Sequence, residues 1–475
     1  MKVTLVSPYS DITSLGVRFL SAVLKRAGHT PQIIFLPHRP AETLTDETSQ
    51  IYERDRLEAI AEACAGSGLI GISLMTNYFE RARVLTDFLR DRLTAPIIWG
   101  GIHPTIRPDE CLDSADLVCV GEGEELIVEL AESLAQNRST AALANLGWRA
   151  DGGLRLNKAR PLILDLDALP YPDYDHGGHL VWDEDSRRLR SVDIDLFREY
   201  LSRGHISRIR NEIAYQTIAT RGCPHDCSYC CNNALRDLYR GQQYLRRRST
   251  GNILGELEEM RARFPFIKVI GFSDDSFFAD NEAGIEAFAR AYKERVGLPF
   301  FCLGSPLTIT RRKMVALVAA GMFGIQMGIQ TGSESTKKLY NRSISNRAVI
   351  DAANIINEFS DVMIPPTYDF IIDNPLETRE DLLQTIDLML RLPRPHRLQI
   401  FSLVIFPETG IYRRLVEAGH IKPFGPEAYS REYHQHGATY LNLVLSLLRN
   451  GLPAPVIRFL IRPGVVRLAD RPVLV

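Results

Sequence analysis

Short apolar runs alternate with amphipathic stretches from Lys2 to Asn137. Residues 3–6, 32–36, 69–74, 97–99 and 117–120 read as buried strands, and residues 15–27, 57–65, 82–93 and 124–134 carry helical spacing. Five strands with intervening helices predict a doubly wound parallel sheet, which binds ligands at the carboxyl ends of its strands. Small or turn-forming residues stand at those ends: Ser73, Gly100 and Gly101, and the run Gly121-Glu122-Gly123. Each either admits close backbone approach by a bulky planar ligand or simply closes a tight turn.

A second alternation begins later. Residues 216–220, 268–272, 300–303, 325–330, 367–372 and 399–406 read as strands, with helices over 252–263, 311–320, 348–358 and 379–391. Six β/α units predict an incomplete barrel with its chemistry at the strand ends. Asp274-Asp275 follow the second strand, Gln330 ends the fourth and residues 369–375 close the fifth; for the two aspartates a helix N-cap is the competing role. Between the two regions, Pro170 and Pro172 give residues 166–175 the look of a linker, and the arginines of 176–211 suit a solvated face. Apolar runs at 440–448 and 456–461, interspersed with arginines, predict two amphipathic helices that cap the barrel, bind a partner or rest on a membrane surface. The expected domains are 1–140, 141–215, 216–420 and 421–475.

Composition narrows the field. With 56 basic and 58 acidic residues the net charge is -2, which gives no overall electrostatic attraction to nucleic acid or an anionic membrane. The first residues run straight into a strand without the apolar block of a signal peptide, and no apolar run reaches spanning length, so a cytoplasmic protein is expected. Four of eight cysteines crowd into positions 223–231, whereas Cys64, Cys111, Cys119 and Cys302 are scattered as core residues are.

The crowded stretch reads Arg221-Gly222-Cys223-Pro224-His225-Asp226-Cys227-Ser228-Tyr229-Cys230. Three thiols within eight residues can face one inorganic centre, and soft sulfur suits an iron–sulfur cluster or zinc, the latter with His225 or Cys231 as fourth ligand. Three cysteines fill three corners of a four-iron, four-sulfur cube and leave one iron open for a small ligand.

This stretch resembles the CxxxCxxC signature of radical S-adenosylmethionine enzymes, including the aromatic Tyr229 before the last cysteine. The stretches Trp99-Gly100-Gly101-Ile102-His103-Pro104-Thr105 and Val118-Cys119-Val120-Gly121-Glu122-Gly123-Glu124 resemble the cobalamin-binding domain that precedes the barrel in one large radical branch. The resemblance spans about residues 2–420. It implies a Rossmann-like cobalamin domain, a partial barrel and a small helical C-terminal region. It also implies iron ligation by Cys223, Cys227 and Cys230, and adenosyl contacts from Asp275 and Gln330. Ser73, Gly100, Gly101, Gly121, Glu122 and Gly123 would then face cobalamin. The first loop, residues 8–16, lacks the histidine that ligates cobalt in the mutase type, so cobalamin without a histidine lower ligand is expected, with His103 lining a turn or pocket. The fifth-strand ending Asp373-Asn374-Pro375 departs from the family's frequent glycines, and in Phe406-Pro407-Glu408-Thr409-Gly410 the first glycine of the family's PxPGT turn is replaced.

The implied activity is methylation of an unactivated carbon in a small metabolite, tetrapyrrole, lipid or natural-product intermediate, with flavodoxin or ferredoxin as electron donor. Oxidative cyclisation without methyl transfer shares every motif. A methylthiotransferase would need a further compact cysteine triad near the amino terminus, and a redox or cobalamin sensor would not need nucleoside-binding strand ends.

Overall fold

The computed structural model describes residues 1–9, 11–37, 52–423 and 436–469. Ser10 of the first loop, and residues 424–435 and 470–475 of the expected C-terminal cap, lie outside them. The described chain forms two compact units, Met1–Thr217 with Ala234–Val269, and Ile218–Asn233 with Ile270–Val475.

The first unit is built on strands β1 (Lys2–Ser7), β2 (Thr30–Phe35), β3 (Leu69–Ser73), β4 (Ile97–Gly100), β5 (Leu117–Cys119), β6 (Leu146–Ala150), β7 (Gly153–Leu156), β8 (Leu180–Asp183) and β9 (Arg188–Ser191). They form one sheet of order β7-β6-β5-β4-β3-β1-β2-β8-β9. The five expected strands are its parallel centre, where Val3, Leu5 and Val6 sit in register with the apolar β2 and β3. The order reverses between β1 and β3, which opens a crevice beyond Ser7 and Ser73. β6, β7 and β9 add antiparallel and β8 adds in parallel to β2; β7 and β9 escaped the sequence reading because their exposed residues give no apolar run.

Residues 166–175 carry only a short 3-10 turn at Leu166–Ala168, as their prolines dictate, yet they are anchored. Asp173 is buried and accepts hydrogen bonds from Ser21 Oγ at 2.5 Å and His179 Nε2 at 3.1 Å, with Lys25 Nζ at 2.7 Å. The buried Arg18 guanidinium donates to the carbonyls of Ile12 and Asp173 and lies over the rings of Phe35 and Tyr174, at 4.7 and 4.0 Å. Each buried charge thus has a partner, without which its desolvation would cost several kcal/mol.

A second sheet has six strands in sequence order: Ala214–Thr217, Val269–Phe272, Phe300–Gly304, Met322–Gln330, Thr367–Ile372 and Arg397–Ser402. The last five pair in parallel, the arrangement of a partial β/α barrel. The first strand stops at Thr217 instead of running to 220. The amides of Ala219 and Thr220 go to the Asp274 carboxylate, so the backbone leaves the ladder there. The last strand ends at Ser402 rather than 406, although Leu403 to Phe406 stay buried.

Among the described residues the tail holds three helices, Tyr440–Arg449, Ala454–Leu460 and Pro463–Ala469, where two were expected. The third starts on Pro463, suited to a helix's first turn. No described helix is long and apolar enough to cross a membrane.

Candidate functional site

The cysteine loop is pinned on both sides. Ahead of it, Asp274 is fully buried and one oxygen, Oδ1, accepts from Ala219 N at 2.8 Å, Thr220 N at 2.5 Å and Thr220 Oγ1 at 2.6 Å. Asp274 is therefore a loop anchor rather than the N-cap weighed from sequence. Within the loop, Ser228 donates through its amide to Tyr340 O and through Oγ to Leu339 O, and its carbonyl accepts from Ile411 N at 2.8 Å. A side chain at Gly410 would stand 2.9 Å from Ser228 Cβ, so this glycine is required by close approach.

The thiols already have donors around them. Arg342 gives Nη1 to Cys227 Sγ at 3.4 Å and Nη2 to the Gly328 carbonyl at 2.5 Å. Asn232 Nδ2 reaches Cys230 Sγ at 3.7 Å and Asp275 Oδ2 at 3.1 Å. Cys231 donates to Cys230, which holds Cys230 below and Cys231 well above the usual thiol range. Burial pushes Cys223 up to about 11. In the adjacent pair Cys231 is thus the donor and Cys230 the acceptor. Among the described residues no three His, Cys, Asp or Glu side chains close on a point as ligands of a single ion would. Three cysteines on one short loop, with Arg342 and Asn232 donating to their sulfurs, fit an iron–sulfur cluster, whose sulfurs are tuned by such bonds. Asp275 meets the loop through Asn232 and through its own carbonyl, which accepts from Cys223 Sγ at 3.9 Å.

Beside Cys230 opens a cavity of about 340 Å³, lined by Tyr229, Gln330, Asp369 and Ser402 among apolar residues including Ile371, Phe401 and Leu403. Three non-glycine residues at the adjoining strand ends have left-handed backbone: Gln330 (φ 78°), Asp373 (φ 59°) and Glu408 (φ 58°). Such conformations cost roughly 1–3 kcal/mol each and gather at functional sites. Asp373 opens the fifth-strand ending and Glu408 lies in the turn after the last strand, where the resemblance leads one to expect glycines, and both have the backbone that glycine favours. The Asp373 carboxylate accepts from Ser402 Oγ, Gly437 N and Asn442 Nδ2, which ties the tail to the fifth strand.

In the first unit the expected strand-end residues divide by role. A Cβ on Gly101 (φ 99°) would lie 2.7 Å from Leu74 O, and one on Gly121 (φ 97°) would lie 2.0 Å from Tyr239 Oη, so the protein's own packing demands both glycines. Glu122 is held by Arg246 Nη1 at 2.8 Å and accepts from Ile163 N at 2.8 Å. Gly100 and Gly123 keep ordinary space above them, with nothing closer than 3.6 and 3.4 Å to an added Cβ. Ser73, hydrogen-bonded to Tyr9, completes with them a strand-end cradle of small residues that fits a large planar cofactor. His103 is fully buried, with Nδ1 3.2 Å from Thr76 Oγ1, and burial pushes its pKa down to about 3.

Comparison with known proteins bears on both halves. Residues 217–389 match the Radical SAM superfamily, and residues 1–131 match the B12 binding domain. A B12-binding domain and a radical SAM domain share this chain. The radical SAM domain implies a four-iron, four-sulfur cluster and S-adenosylmethionine. An uncharacterized methyltransferase of Pyrococcus horikoshii is 26% identical over 330 residues, 68% of this chain and 64% of that protein. The anaerobic magnesium-protoporphyrin IX monomethyl ester cyclase of Synechocystis is 28% identical over 227 residues, 47% of this chain and 38% of that protein. The chain thus spans less than two thirds of the length of either relative. The radical S-adenosylmethionine methyltransferase TsrM from Kitasatospora setae, with cobalamin and cluster bound, has the same fold. Its TM-score is 0.67 at 17% identity, covering 90% of this chain and 79% of TsrM.

Sequence reasoning singled out Cys223, Cys227 and Cys230 of the radical SAM domain but missed Arg342, Tyr239 and the anchoring by Asp274. These act through contacts to residues distant in the chain, and no local spacing announces them.

Proposed function

We propose that this B12-binding radical SAM protein is a methyltransferase acting on an unactivated carbon of a small molecule. The observation that carries this reading is the pairing of a strand-end cradle in a B12-binding domain with a cysteine loop beside an apolar cavity in a radical SAM domain. When bound, the cluster and S-adenosylmethionine supply a hydrogen-abstracting radical, and cobalamin supplies a transferable methyl group.

The chain's residues do the positioning. Cys223, Cys227 and Cys230 would hold three irons, with Arg342 and Asn232 fixing sulfur orientation, and Asp275 and Gln330 would contact the adenosyl part. Ile371, Phe401 and Leu403 would keep water from a radical that attacks any nearby C–H bond. Ser73, Gly100 and Gly123 would face cobalamin, while Gly101, Gly121 and Glu122 set the shape of its cradle. Flavodoxin or ferredoxin would deliver the electron. Exposed Val456, Phe459 and Leu468, beside Arg458, Arg462 and Arg467, would give the tail peripheral contact with an anionic membrane.

The decisive test uses anaerobically reconstituted enzyme, candidate substrates and S-adenosylmethionine with a deuterated methyl group. Methyl transfer gives a product heavier by the labelled methyl, with S-adenosylhomocysteine and 5′-deoxyadenosine in about equal amounts. Deoxyadenosine with an unlabelled, modified product and no S-adenosylhomocysteine would refute methyl transfer. It would favour the cyclisation to which the similarity with the Synechocystis cyclase points.

A further inference from the structure

The inner face of the barrel sheet carries an unusual group. Along Thr367–Ile372, Arg397–Ser402 and the second half of Met322–Gln330 burial alternates with period two, so that Tyr368, Phe370 and Ile372 pack outward and Thr367, Asp369 and Ile371 turn inward. Register sets Asp369 between Gly328 and Gln399. Gly328 offers no side chain there, and the amide of Gln330 folds over it, 2.6 Å from where a Cβ would stand.

Asp369 lines the cavity beside Cys230, and among the described residues no lysine, arginine or histidine lines it with it. Among the described residues its carboxyl oxygens accept from a single amide, Gln326 Nε2, at 2.8 and 3.0 Å. With burial dominant and only that amide in opposition, its pKa rises to about 7. A buried carboxyl without a cation is costly to keep, and the cost falls when a ligand brings the missing charge.

We propose that Asp369, oriented by Gln326, is the specificity-determining contact for a substrate that is apolar over most of its surface and carries one amine. The ammonium group would donate to the carboxylate lone pairs that Gln326 leaves open, while the apolar walls would take the remaining carbon skeleton. A substrate carboxylate would meet a like charge in a low-dielectric space and be rejected. This rests on the reading that the cavity beside the cysteine loop receives the substrate. It adds the substrate's chemical class.

The experiment uses the reconstituted holoenzyme and three probes of similar apolar body: phenethylamine, 2-phenylethanol and 3-phenylpropionate. Ligand-observed NMR titrations are run with wild type, Asp369→Asn and Gln326→Leu, alongside the dissociation constant of S-adenosylmethionine for each. Cluster absorbance reports on folding. In wild type the amine should bind at least tenfold more tightly than the acid, with the alcohol between them. Asp369→Asn should erase the amine's advantage over the alcohol, and Gln326→Leu should reduce it. Equal binding of all three probes, no binding of the amine, or an unchanged preference in Asp369→Asn would each overturn the assignment. So would weakened S-adenosylmethionine binding with the amine preference intact, because the carboxyl would then serve the amino group of that molecule. The labelled-methyl experiment can fail while the amine preference holds, and the reverse, so the two readings are judged separately.

Discussion

Replacing Asp274 by asparagine and by alanine should separate charge from geometry at the cysteine loop. All three of its loop bonds, from Ala219 N, Thr220 N and Thr220 Oγ1, converge on Oδ1. An asparagine oxygen in that place can still accept all three, losing only charge assistance, which is worth roughly half of each bond. With hydrogen bonds to a charged group contributing about 1.5–3 kcal/mol and about half of that lost at each of the three, the asparagine variant should lose about 2–4 kcal/mol of local stability. Alanine instead leaves three buried donors without an acceptor, at about 1–3 kcal/mol each, so a loss of about 6 kcal/mol is expected. Because Cys223 lies three residues past Thr220, this loss falls on the loop that holds the cluster. The assay is iron and sulfide per chain after anaerobic reconstitution, with the thermal midpoint of the same samples. Asparagine should retain most of the cluster and alanine should retain little. Full cluster content in Asp274→Ala, or equal damage from both variants, would refute the reasoning.

Alanine at Cys223, Cys227 or Cys230 should abolish a normal cluster and S-adenosylmethionine cleavage, whereas Cys231→Ala should keep both; iron analysis and deoxyadenosine yield decide it. Bound cobalamin should show no histidine nitrogen splitting in the cobalt(II) electron paramagnetic resonance spectrum, and His103→Gln should not change that spectrum, since His103 is buried against Thr76. Glu377 is raised from 4.5 to about 7 by burial, with further push from Asp381 and Asp373. Its folded state therefore binds a proton more tightly than the unfolded chain, so stability should fall as pH rises from about 4.5 to about 7 and level off above. Glu377→Gln should flatten part of that slope in thermal melts across the same range.

The elements that carry long apolar periodicity were readable from the chain alone: the helix Arg379–Arg391 and the strand Thr367–Ile372 fall on the expected residues. The cysteine spacing was equally local. What escaped was settled by partners far along the chain. The first barrel strand was read through to 220 because nothing in Ile218-Ala219-Thr220 announces that Asp274 takes its amides. Gly121 was read as a place for ligand approach, and only the folded chain brings Tyr239 into the space its Cβ would fill. Gln330 was legible as a strand-end residue, but its left-handed backbone at φ 78° was not, since glutamine has no preference for it.

The division of the chain into two units has a consequence for biosynthesis. The first unit takes Met1–Thr217 together with Ala234–Val269, and the cysteine loop lies in the span between them. Tyr239, Arg246 and Glu256 supply contacts to Glu122 and Tyr215 within that first unit. A ribosome that has released only the first 217 residues has therefore delivered a unit without its closing segment. The loop for the metal cluster leaves the exit tunnel before the cobalamin-type half can finish folding. The loop's own anchors, Asp274, Tyr340 and Ile411, are made only after the first unit is complete, and no single cut in the gene yields either half whole.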